Sequence, residues 1–412
     1  MHLTRRLATL TACTITMFSA TPSHGQLVTD GNRIVDREAN PVTLRGTNLG
    51  NWFVLEMWML GWGERVSDQH EFESILVERH GEQRANELMD LFRASWITAA
   101  DFGRIRGAGM NCVRLPFEAD LLDPNADDPD APLNLTEESF EWIDHAIALA
   151  NDADLYVILD LHGAPGRQSA MDHTGRREHN QLWEQPALQE KTRQIWSALA
   201  TRYRDDETVV AYDLLNEPWG KDKPTLAAFM QTVYDAVREA DPETIVVFPS
   251  WWDGVDFYPV PADAGWTNMM HTKHPYPGFF GWGEPEPGVH EDFLARVVPE
   301  WEELSERLDV PLLMGEFQVA LRSAGGPDMM ARHFQAYADA GFAATMWSYK
   351  VLTEEGGMEE GSWGFVTNRL PAPYIELRTA SYEQTRDWIR QLATMPIEVN
   401  EELAERLREM KP

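Results

Sequence analysis

The sequence contains very little cysteine. Its 412 residues include two cysteines, Cys13 and Cys112, and Cys13 lies in an N-terminal segment with the features of a cleaved signal. A mature chain with one cysteine cannot form an intramolecular disulfide, which excludes a disulfide-stabilised scaffold. Because Cys112 lies in an apolar run with no neighbouring base, we predict that it is a small core residue and not a nucleophile.

Basic residues are scarce as well. Lys and Arg together number 35 against 67 Asp and Glu, which gives a formal charge of −32 at pH 7. A charge of this sign argues against nucleic acids and anionic membranes as partners. It suits a neutral substrate such as a polysaccharide. Solubility alone would also account for it, so the charge does not select a reaction.

The longest apolar run of the sequence lies near the N-terminus, and no later segment is as long as a membrane-spanning helix. Residues 7–20 are apolar and mostly small, follow Arg5 and Arg6, and precede small residues that end at Gly25. This is the pattern of a secretory signal peptide, and the run is too short and too rich in threonine for a membrane-spanning helix. We therefore expect cleavage near Gly25 and a secreted monomer, extracellular or periplasmic, with no membrane partner.

The rest of the chain alternates short apolar runs with segments of helical periodicity. The apolar runs predict eight strands, at residues 42–46, 112–116, 155–162, 209–215, 244–248, 268–271, 311–314 and 343–347. Helical spacing is found between several of them, at residues 99–107, 136–150, 224–238 and 293–307. Eight strand–helix alternations predict an α/β fold, a single (β/α)₈ TIM barrel.

The predicted barrel carries additions. A β-hairpin that turns at Asp30-Gly31 precedes it, and extended βα loops are expected at residues 60–96 and 164–183. No internal repeat, low-complexity tract or proline-rich linker interrupts the barrel. We therefore expect a signal peptide at residues 1–25, one catalytic barrel at 26–395 and an acidic helical tail at 396–412.

Two of the predicted strands lead directly to glutamates. Glu217 follows the fourth strand and Glu316 follows the seventh. Active sites of such barrels lie at the carboxyl ends of the strands, and two carboxylates that face one cleft are what glycoside hydrolysis requires. Glutamates at strand ends also cap helices or lie in solvated loops. The triplet Asn216-Glu217-Pro218 favours a functional role, since proline forces a sharp exit from the strand beside an amide.

With these motifs, the chain from residue 42 to 347 resembles glycoside hydrolase family 5, the cellulase-like family of retaining β-glycosidases. The resemblance implies that Glu217 is the general acid/base and Glu316 the nucleophile. It also implies that Asn216 binds the sugar 2-hydroxyl and that Tyr276 donates to Glu316. Four more residues are expected to support the site: Arg114 beside the nucleophile, His162, His274, and Trp347 as a sugar-stacking platform.

Each supporting residue also has a structural explanation when taken alone. His162 and His274 would be hydrogen-bonded histidines, and Trp347 would be a core residue. The His-x-Tyr pattern selects His274 over His271. A metal site made of His271, His274 and His290 lacks the spacing of a ligand set, and retaining glycosidases need no metal, so we expect neither metal nor cofactor.

The opening and the loop after the third strand narrow the choice of sugar. Residues 44–56 and 160–166 resemble the exo-β-1,3-glucanase branch, although that branch continues with Gln-Asn where residues 167–173 read Arg-Gln-Ser-Ala-Met-Asp-His. We expect Glu56 to contact the terminal sugar and Trp363 to wall the pocket. The predicted partner is therefore a β-glucan, preferentially β-1,3-linked and cut from its end.

Three alternatives stay open at this point. An endo-β-1,4-glucanase would have an open cleft, whereas the long segments 60–96 and 164–183 favour a closed pocket. A glucosyl-lipid hydrolase would have an apolar groove, whereas these segments are strongly polar. A sugar-binding inactive barrel would usually have lost one of the two carboxylates.

Overall fold

The computed structural model describes residues 25–62, 65–252, 254–358 and 361–410. The predicted signal peptide lies outside the described residues, except for Gly25. The first described element is the predicted hairpin, formed by β1 (Val28–Asp30) and β2 (Arg33–Val35). It turns at Gly31, where φ is +57°, a left-handed conformation that glycine adopts without steric cost.

Eight parallel strands then close into a barrel, in the order β10-β3-β4-β5-β6-β7-β8-β9. Every one of them overlaps a predicted strand, so the predicted (β/α)₈ fold is confirmed. Their bounds are β3 Arg45–Asn48, β4 Cys112–Glu118, β5 Tyr156–Gly163, β6 Val209–Asp213, β7 Ile245–Phe248, β8 Met269–Lys273, β9 Leu312–Met314 and β10 Ala343–Met346.

The barrel strands are buried on both faces, which explains why their sequences are apolar throughout. Small and branched side chains fill the interior, and Cys112 is one of them, as predicted. The ring is closed where β3 pairs with β10 on one side and β4 on the other. A Cβ atom on Gly46 would lie 2.0 Å from the carbonyl oxygen of Cys112, so this strand position requires glycine.

Twelve α-helices surround the barrel and its extensions in the described part of the chain. Their bounds are α1 Gln69–His80, α2 Glu82–Trp96, α3 Ala99–Gly107, α4 Glu141–Asp152, α5 Pro186–Tyr203, α6 Lys223–Ala240, α7 Pro261–Ala264, α8 Pro287–Asp292, α9 Val298–Leu308, α10 Gly326–Asp339, α11 Tyr382–Thr394 and α12 Glu401–Glu409. None of them is long and apolar enough to cross a bilayer.

Two segments differ from the sequence-based expectation. Residues 60–96, expected as a long loop, are mostly α1 and α2, because Leu88, Phe92 and Trp96 recur at helical spacing and are buried. The helix predicted at residues 293–307 is interrupted by a π-helical turn, Phe293–Val297, before α9 begins.

The C-terminal segment is tied to the barrel by a second small sheet. Strands β11 (Val366–Asn368) and β12 (Ile397–Val399) pair in antiparallel fashion. The helix expected after Asn400 is present as α12; the Asn400 side chain accepts from the Leu403 N–H at its start, and its apolar residues Leu403 and Leu407 are buried.

Candidate active site

The two predicted glutamates meet at the carboxyl ends of the barrel strands. Glu217 lies just beyond β6, and Glu316 lies two residues beyond β9. His274, just beyond β8, lies between them: its Nδ1 is 2.7 Å from Glu217 Oε1 and 3.6 Å from Glu316 Oε2. One ligand atom from each of the three residues lies within 4.8 Å of the others. The two carboxylates therefore face the same space.

Glu217 is held in an unusual backbone conformation. Its φ is +40°, in the left-handed region that residues other than glycine rarely occupy. Such a conformation costs on the order of 1–3 kcal/mol and persists where the surrounding structure imposes it, most often at functional sites. The sharp exit from the strand that was predicted from Pro218 is thus present, and the Glu217 carboxylate beyond it contacts His274.

Arg114, on β4, is fully buried beneath Glu316. Its Nη1 donates to Glu316 Oε1 at 3.0 Å, and its Nε donates to Asp213 Oδ2 at 2.9 Å. Its Nη2 forms an ion pair with Asp160 Oδ1 at 3.0 Å. One buried cation thus faces three carboxylates, and burial raises the pKa of both Asp160 and Asp213 to about 6 against the opposing effect of Arg114.

Both oxygens of Glu316 have a donor. Arg114 occupies Oε1, and the hydroxyl of Tyr276 donates to Oε2 at 2.8 Å, the contact that was predicted. Burial, together with the neighbouring Glu316, holds the pKa of Tyr276 well above its ordinary value. The phenol therefore keeps its proton and remains a donor. Asn48 fixes the peptide before the carboxylate, since its Nδ2 donates to the Gly315 carbonyl at 2.8 Å.

Glu217 has a histidine ring beside each of its carboxylate oxygens. Burial raises its pKa above the ordinary value, although His173 and Arg114 oppose that shift. His173 Nε2 lies 3.5 Å from Glu217 Oε2, opposite the contact with His274. Burial also lowers the pKa of His173 to about 4, which leaves it neutral near pH 7. Sequence reasoning missed His173; the signal was its place in the loop that departs from the glucanase branch.

His162 and Asn216 form a chain of hydrogen bonds with Arg114. The Nη2 of Arg114 donates to Asn216 Oδ1 at 2.9 Å, and Asn216 Nδ2 lies 3.2 Å from His162 Nε2. His162 Nδ1 lies 2.6 Å from Asp160 Oδ2. Burial lowers the pKa of His162 to about 3, so the ring is neutral, with its proton on Nδ1 toward the carboxylate and Nε2 accepting from the amide. The ring stacks on Trp347 at 5.4 Å.

Glu56 lies in the wall of the site that also contains Trp347. Its Oε2 accepts from Trp58 Nε1 at 2.8 Å, and burial raises its pKa to about 8. An apolar cluster stands beside it, which contains Met59, Trp347 and Val351, with Trp58, Tyr276 and Trp363 packed against it. The predicted positions of Glu56, Trp347 and Trp363 therefore converge on one wall.

These residues open onto a cavity with a volume of about 890 Å³. The cavity is lined by Glu217, Glu316, Glu56 and Trp347. Five further tryptophans also line it: Trp219, Trp251, Trp252, Trp282 and Trp301. Its size is within the range of pockets that bind ligands of drug-like size.

The loop at residues 164–183 is anchored by a buried ion network that sequence reasoning also missed. Arg167, on this loop, pairs with Glu118 at 3.0 Å, Asp120 at 2.7 Å and Asp127 at 3.1 Å. The next residue, Gln168, donates from Nε2 to the carbonyl oxygens of His162 and Asn216, each at 2.7 Å. The loop is thereby fixed directly to the carboxyl end of the barrel strands.

The three histidines considered for a metal site do not converge. His271 stacks on Tyr258, His290 lies 3.0 Å from His333, and His274 contacts the two glutamates. A cation could be held, by distance alone, between three side chains, those of Glu217, His274 and Glu316. Both oxygens of Glu316 and Nδ1 of His274 already have protein partners.

Comparison with known proteins places this site in context. The family described as "Cellulase (glycosyl hydrolase family 5)" matches residues 78–352. A protein from Phanerodontia chrysosporium named "Beta-xylosidase" is 30% identical over 272 residues, which are 66% of this chain and 56% of that one. The chain spans about half the length of the first curated relatives that it matches.

A second relative is matched over more of its length. A "Probable glucan 1,3-beta-glucosidase A" from Aspergillus clavatus is 34% identical over 371 residues, 84% of this chain and 81% of that one. Among solved structures, an endogalactoceramidase superposes with a TM-score of 0.62 at 18% identity, over 93% of this chain and 84% of the other. This likeness concerns the fold.

Proposed function

Because the chain belongs to glycosyl hydrolase family 5, we propose that it is a retaining β-glycosidase that cleaves β-glucans, preferentially β-1,3-linked, from the chain end. The observation that carries this proposal is the pair Glu217 and Glu316, which face each other with carboxylate oxygens within 4.8 Å. Retaining enzymes hold their two carboxyl groups about 5–5.5 Å apart, whereas inverting enzymes leave about 6.5–9.5 Å for a water molecule.

In the first step, Glu316 attacks the anomeric carbon and forms a glycosyl-enzyme, while Glu217 gives its proton to the departing glycosidic oxygen. In the second step, the ionised Glu217 takes a proton from water, and the water oxygen displaces Glu316 from the anomeric carbon. The sugar leaves with its original configuration, and both carboxyl groups return to their starting states.

The charges and hydrogen bonds around the two glutamates are consistent with Glu316 as the nucleophile and Glu217 as the general acid. Glu316 has the buried cation Arg114 on one oxygen and the phenol of Tyr276 on the other, two donors that stabilise a carboxylate. Burial raises the pKa of Glu217, which keeps a proton available for the leaving group. His274 lies between the two glutamates, and burial lowers its pKa, which favours the neutral ring.

The wall with Glu56, Trp58, Trp347 and Trp363 is assigned to the sugar that becomes attached to Glu316. Trp347 offers a flat apolar face, and Glu56 offers a carboxyl group to hydroxyls. Because burial raises the pKa of Glu56 to about 8, it is protonated near neutral pH and can donate as well as accept. Asn216 presents its amide beside Glu217 and serves the 2-hydroxyl in this proposal.

Preference for β-1,3-linked glucose is supported by the relative named a probable glucan 1,3-beta-glucosidase, which is matched over four-fifths of its length. End-directed cleavage is supported by the anchored loop at 164–183, whose residues Met171 and His173 line the cavity. A β-xylosidase is the second candidate, favoured by the relative of that name. Secretion stays part of the proposal and rests on residues 7–25, which lie almost wholly outside the described chain.

Product analysis tests the proposal. The mature protein is incubated with laminarin, carboxymethyl-cellulose and mannan, and with the 4-nitrophenyl β-glucoside and β-xyloside, with Glu316→Gln as the control for contaminating activity. Glucose released from laminarin, without early shortening of the polymer, is the expected result. A mixture of oligosaccharides would show that the enzyme cleaves within the chain and would contradict end-directed cleavage. Hydrolysis of the xyloside alone would favour a β-xylosidase.

A further inference from the structure

We propose that His173 is a positioning residue for the general acid/base, and that its ring N–H at Nε2 donates to the Glu217 carboxylate once that group is ionised. This inference rests on the proposed function, because it uses Glu217 as the group that gives up a proton in the first step and takes one back in the second. It adds a partner for Glu217 that comes from the loop at residues 164–183 and not from a barrel strand.

His173 lies against one oxygen of the Glu217 carboxyl group. Its Nε2 is 3.5 Å from Oε2, while His274 Nδ1 is 2.7 Å from Oε1. The His173 Nε2 atom is buried and has no hydrogen-bond partner among the described residues. A movement of the carboxyl group by about 0.5 Å brings Oε2 within ordinary hydrogen-bond distance of this atom. Contacts of this kind are often long in a free enzyme and shorten during the reaction.

The orientation of the Asn216 amide is fixed by Arg114. The Nη2 of Arg114 donates to Asn216 Oδ1 at 2.9 Å. Because a guanidinium has no acceptor, the amide oxygen must face it and the amide nitrogen must face the other way. Asn216 Nδ2 then lies 3.2 Å from His162 Nε2 and 3.4 Å from His173 Nδ1. One NH₂ group, with two protons to donate, thus faces two imidazole nitrogens.

This arrangement decides which nitrogen of His173 carries the proton. An amide nitrogen only donates, so the ring atom that faces it, Nδ1, accepts and carries no proton. Burial lowers the pKa of His173 to about 4, so the ring is neutral near pH 7 and holds a single proton. That proton is therefore on Nε2, the atom that faces Glu217. A series of donors leads from Arg114 through Asn216 and His173 to the carboxyl group.

The surrounding residues hold the His173 ring in this place. The ring belongs to a 3₁₀ turn, Asp172–Thr174, and it is buried. It packs edge-on against His162 at 5.7 Å and against Trp219 at 5.9 Å. Earlier in the same loop, the side chain of Gln168 donates to two backbone carbonyls at the end of the barrel. The ring therefore has little freedom to turn away from Glu217.

The effect of this contact on Glu217 follows from the change in its charge. A donor at Oε2 stabilises the carboxylate more than the carboxylic acid, so it lowers the pKa of Glu217. Burial has the largest influence on that pKa and raises it, whereas His173 and Arg114 lower it and Asp160 raises it. Further titratable groups face or interact with the same carboxyl group: His274, Tyr276, Glu56 and Glu316. All of these groups remain when His173 is replaced.

The test measures kcat/KM against pH on laminaripentaose, whose leaving group is a sugar that needs the proton of Glu217. His173→Leu removes the donor, so the pKa of Glu217 should rise, and we expect the basic limb of the profile to move up by about 0.5–1 pH unit. In His173→Gln, an amide N–H can reach the position of Nε2, and the limb should return toward its wild-type position.

His179→Leu is the matched control, because it is the same substitution in the same loop and His179 lies 4.0 Å from Asp127 instead of facing Glu217. Its basic limb should stay at the wild-type pH. A purely structural role of His173 would lower the rate at every pH and leave the limb in place, and that result in His173→Leu would overturn the inference. A limb that moves equally in His179→Leu, or that stays shifted in His173→Gln, would overturn it as well.

The position of the ring proton can be measured in the wild-type protein. The nitrogen signals of His173 are recorded by ¹⁵N NMR near pH 7 and assigned by their loss in His173→Gln. We expect a proton on Nε2 and none on Nδ1. A proton on Nδ1 would overturn the inference, and this measurement decides it even where His173→Leu does not fold.

Failure of the proposed function gives a different pattern. Wild-type protein that does not cleave laminaripentaose contradicts the function, and the pKa of Glu217 is then followed by ¹³C NMR of labelled glutamate, with Glu217→Gln to assign the signal. His173→Leu should raise that pKa by the same amount of about 0.5–1. An unchanged pKa would overturn the inference independently of catalysis.

Discussion

Arg114 and Glu316 are joined by a hydrogen bond of 3.0 Å at the carboxyl end of the barrel, with Arg114 Nη1 as donor and Glu316 Oε1 as acceptor. The same guanidinium faces the buried carboxylates of Asp160 and Asp213. The contact that orients the proposed nucleophile is therefore also the contact that neutralises the barrel centre. In the proposed mechanism, stability and catalysis therefore depend on the same side chain.

Removal of this cation should destabilise the protein strongly. In Arg114→Met, three carboxylates lose their buried counter-charge, and we expect the free energy of unfolding to fall by about 3–5 kcal/mol at pH 7, as measured by urea denaturation. Arg202→Met is the control, because Arg202 pairs with Asp144 and Glu137 in a more exposed setting and should cost less than about 1 kcal/mol. Equal losses in the two variants would contradict the central role of Arg114.

Removal of the proposed nucleophile should abolish turnover and leave the fold intact. Glu316→Gly is expected to lower kcat by at least about a thousandfold on 4-nitrophenyl β-glucoside. Added azide should restore product, and because azide attacks from the face that Glu316 vacated, the product should be the α-glycosyl azide. Glu302→Ala, on the exposed side of α9, is the control. A β-configured azide product would assign the nucleophile elsewhere.

The pH profile should report the proton on Glu217. A general acid acts in its protonated form, so kcat/KM falls as the pH rises through its pKa. Because burial raises the pKa of Glu217, the basic limb of the profile should lie above pH 4.5, the ordinary value for a glutamate. Glu217→Gln should lose this limb, and it should lose more activity on glucans than on aryl glycosides, whose leaving groups need no proton. A basic limb that persists in this variant would belong to another group.

The barrel was predictable because each of its strands is buried on both faces. Such strands are apolar throughout, and eight short apolar runs separated by helical segments admit few other folds. The positions of Glu217 and Glu316 follow from the same pattern, since a residue just beyond a parallel strand must lie at the active end of the barrel. The contact of Tyr276 with Glu316 came from the family resemblance and not from the pattern.

The missed features depend on partners far away in sequence. Arg167 is neutralised by Glu118, some fifty residues earlier, and nothing within the loop itself indicates that pairing. His173 acquires its place only when that loop folds against Glu217. Strand β12 has three residues, too few for an alternating pattern, and it exists because β11 is there to pair with it. Contacts between residues far apart in the sequence cannot be predicted from the local sequence pattern.

A last prediction concerns His271, which lies outside the site. Its ring is fully buried and stacks on Tyr258 at 5.2 Å, and neither ring nitrogen has a hydrogen-bond partner among the described residues. Burial lowers its pKa to about 3; nearby Lys273 adds to the shift, and Asp256 opposes it. The folded protein therefore binds the His271 proton far more weakly than the unfolded chain, whose histidines titrate near pH 6.5.

The consequence is a loss of stability in acid. Above pH 6.5, His271 is neutral in both states and contributes no pH dependence. Between pH 6.5 and about 3, only the unfolded chain takes up this proton, so the free energy of unfolding falls by up to about 1.4 kcal/mol for each pH unit. Phenylalanine keeps a ring against Tyr258 and cannot be protonated. His271→Phe should therefore gain stability relative to wild type as the pH falls.

Urea denaturation at pH 7, 6, 5 and 4.5 measures this difference, with His145→Gln as the control because His145 is exposed on α4. The free energy of unfolding of His271→Phe, relative to that of wild type, should increase with each step toward acid, whatever the difference is at pH 7. The His145 variant should follow wild type in parallel. Parallel behaviour of the His271 variant would mean that its ring is protonated in the folded protein, and the aromatic packing around Tyr258 would then have to open to admit water.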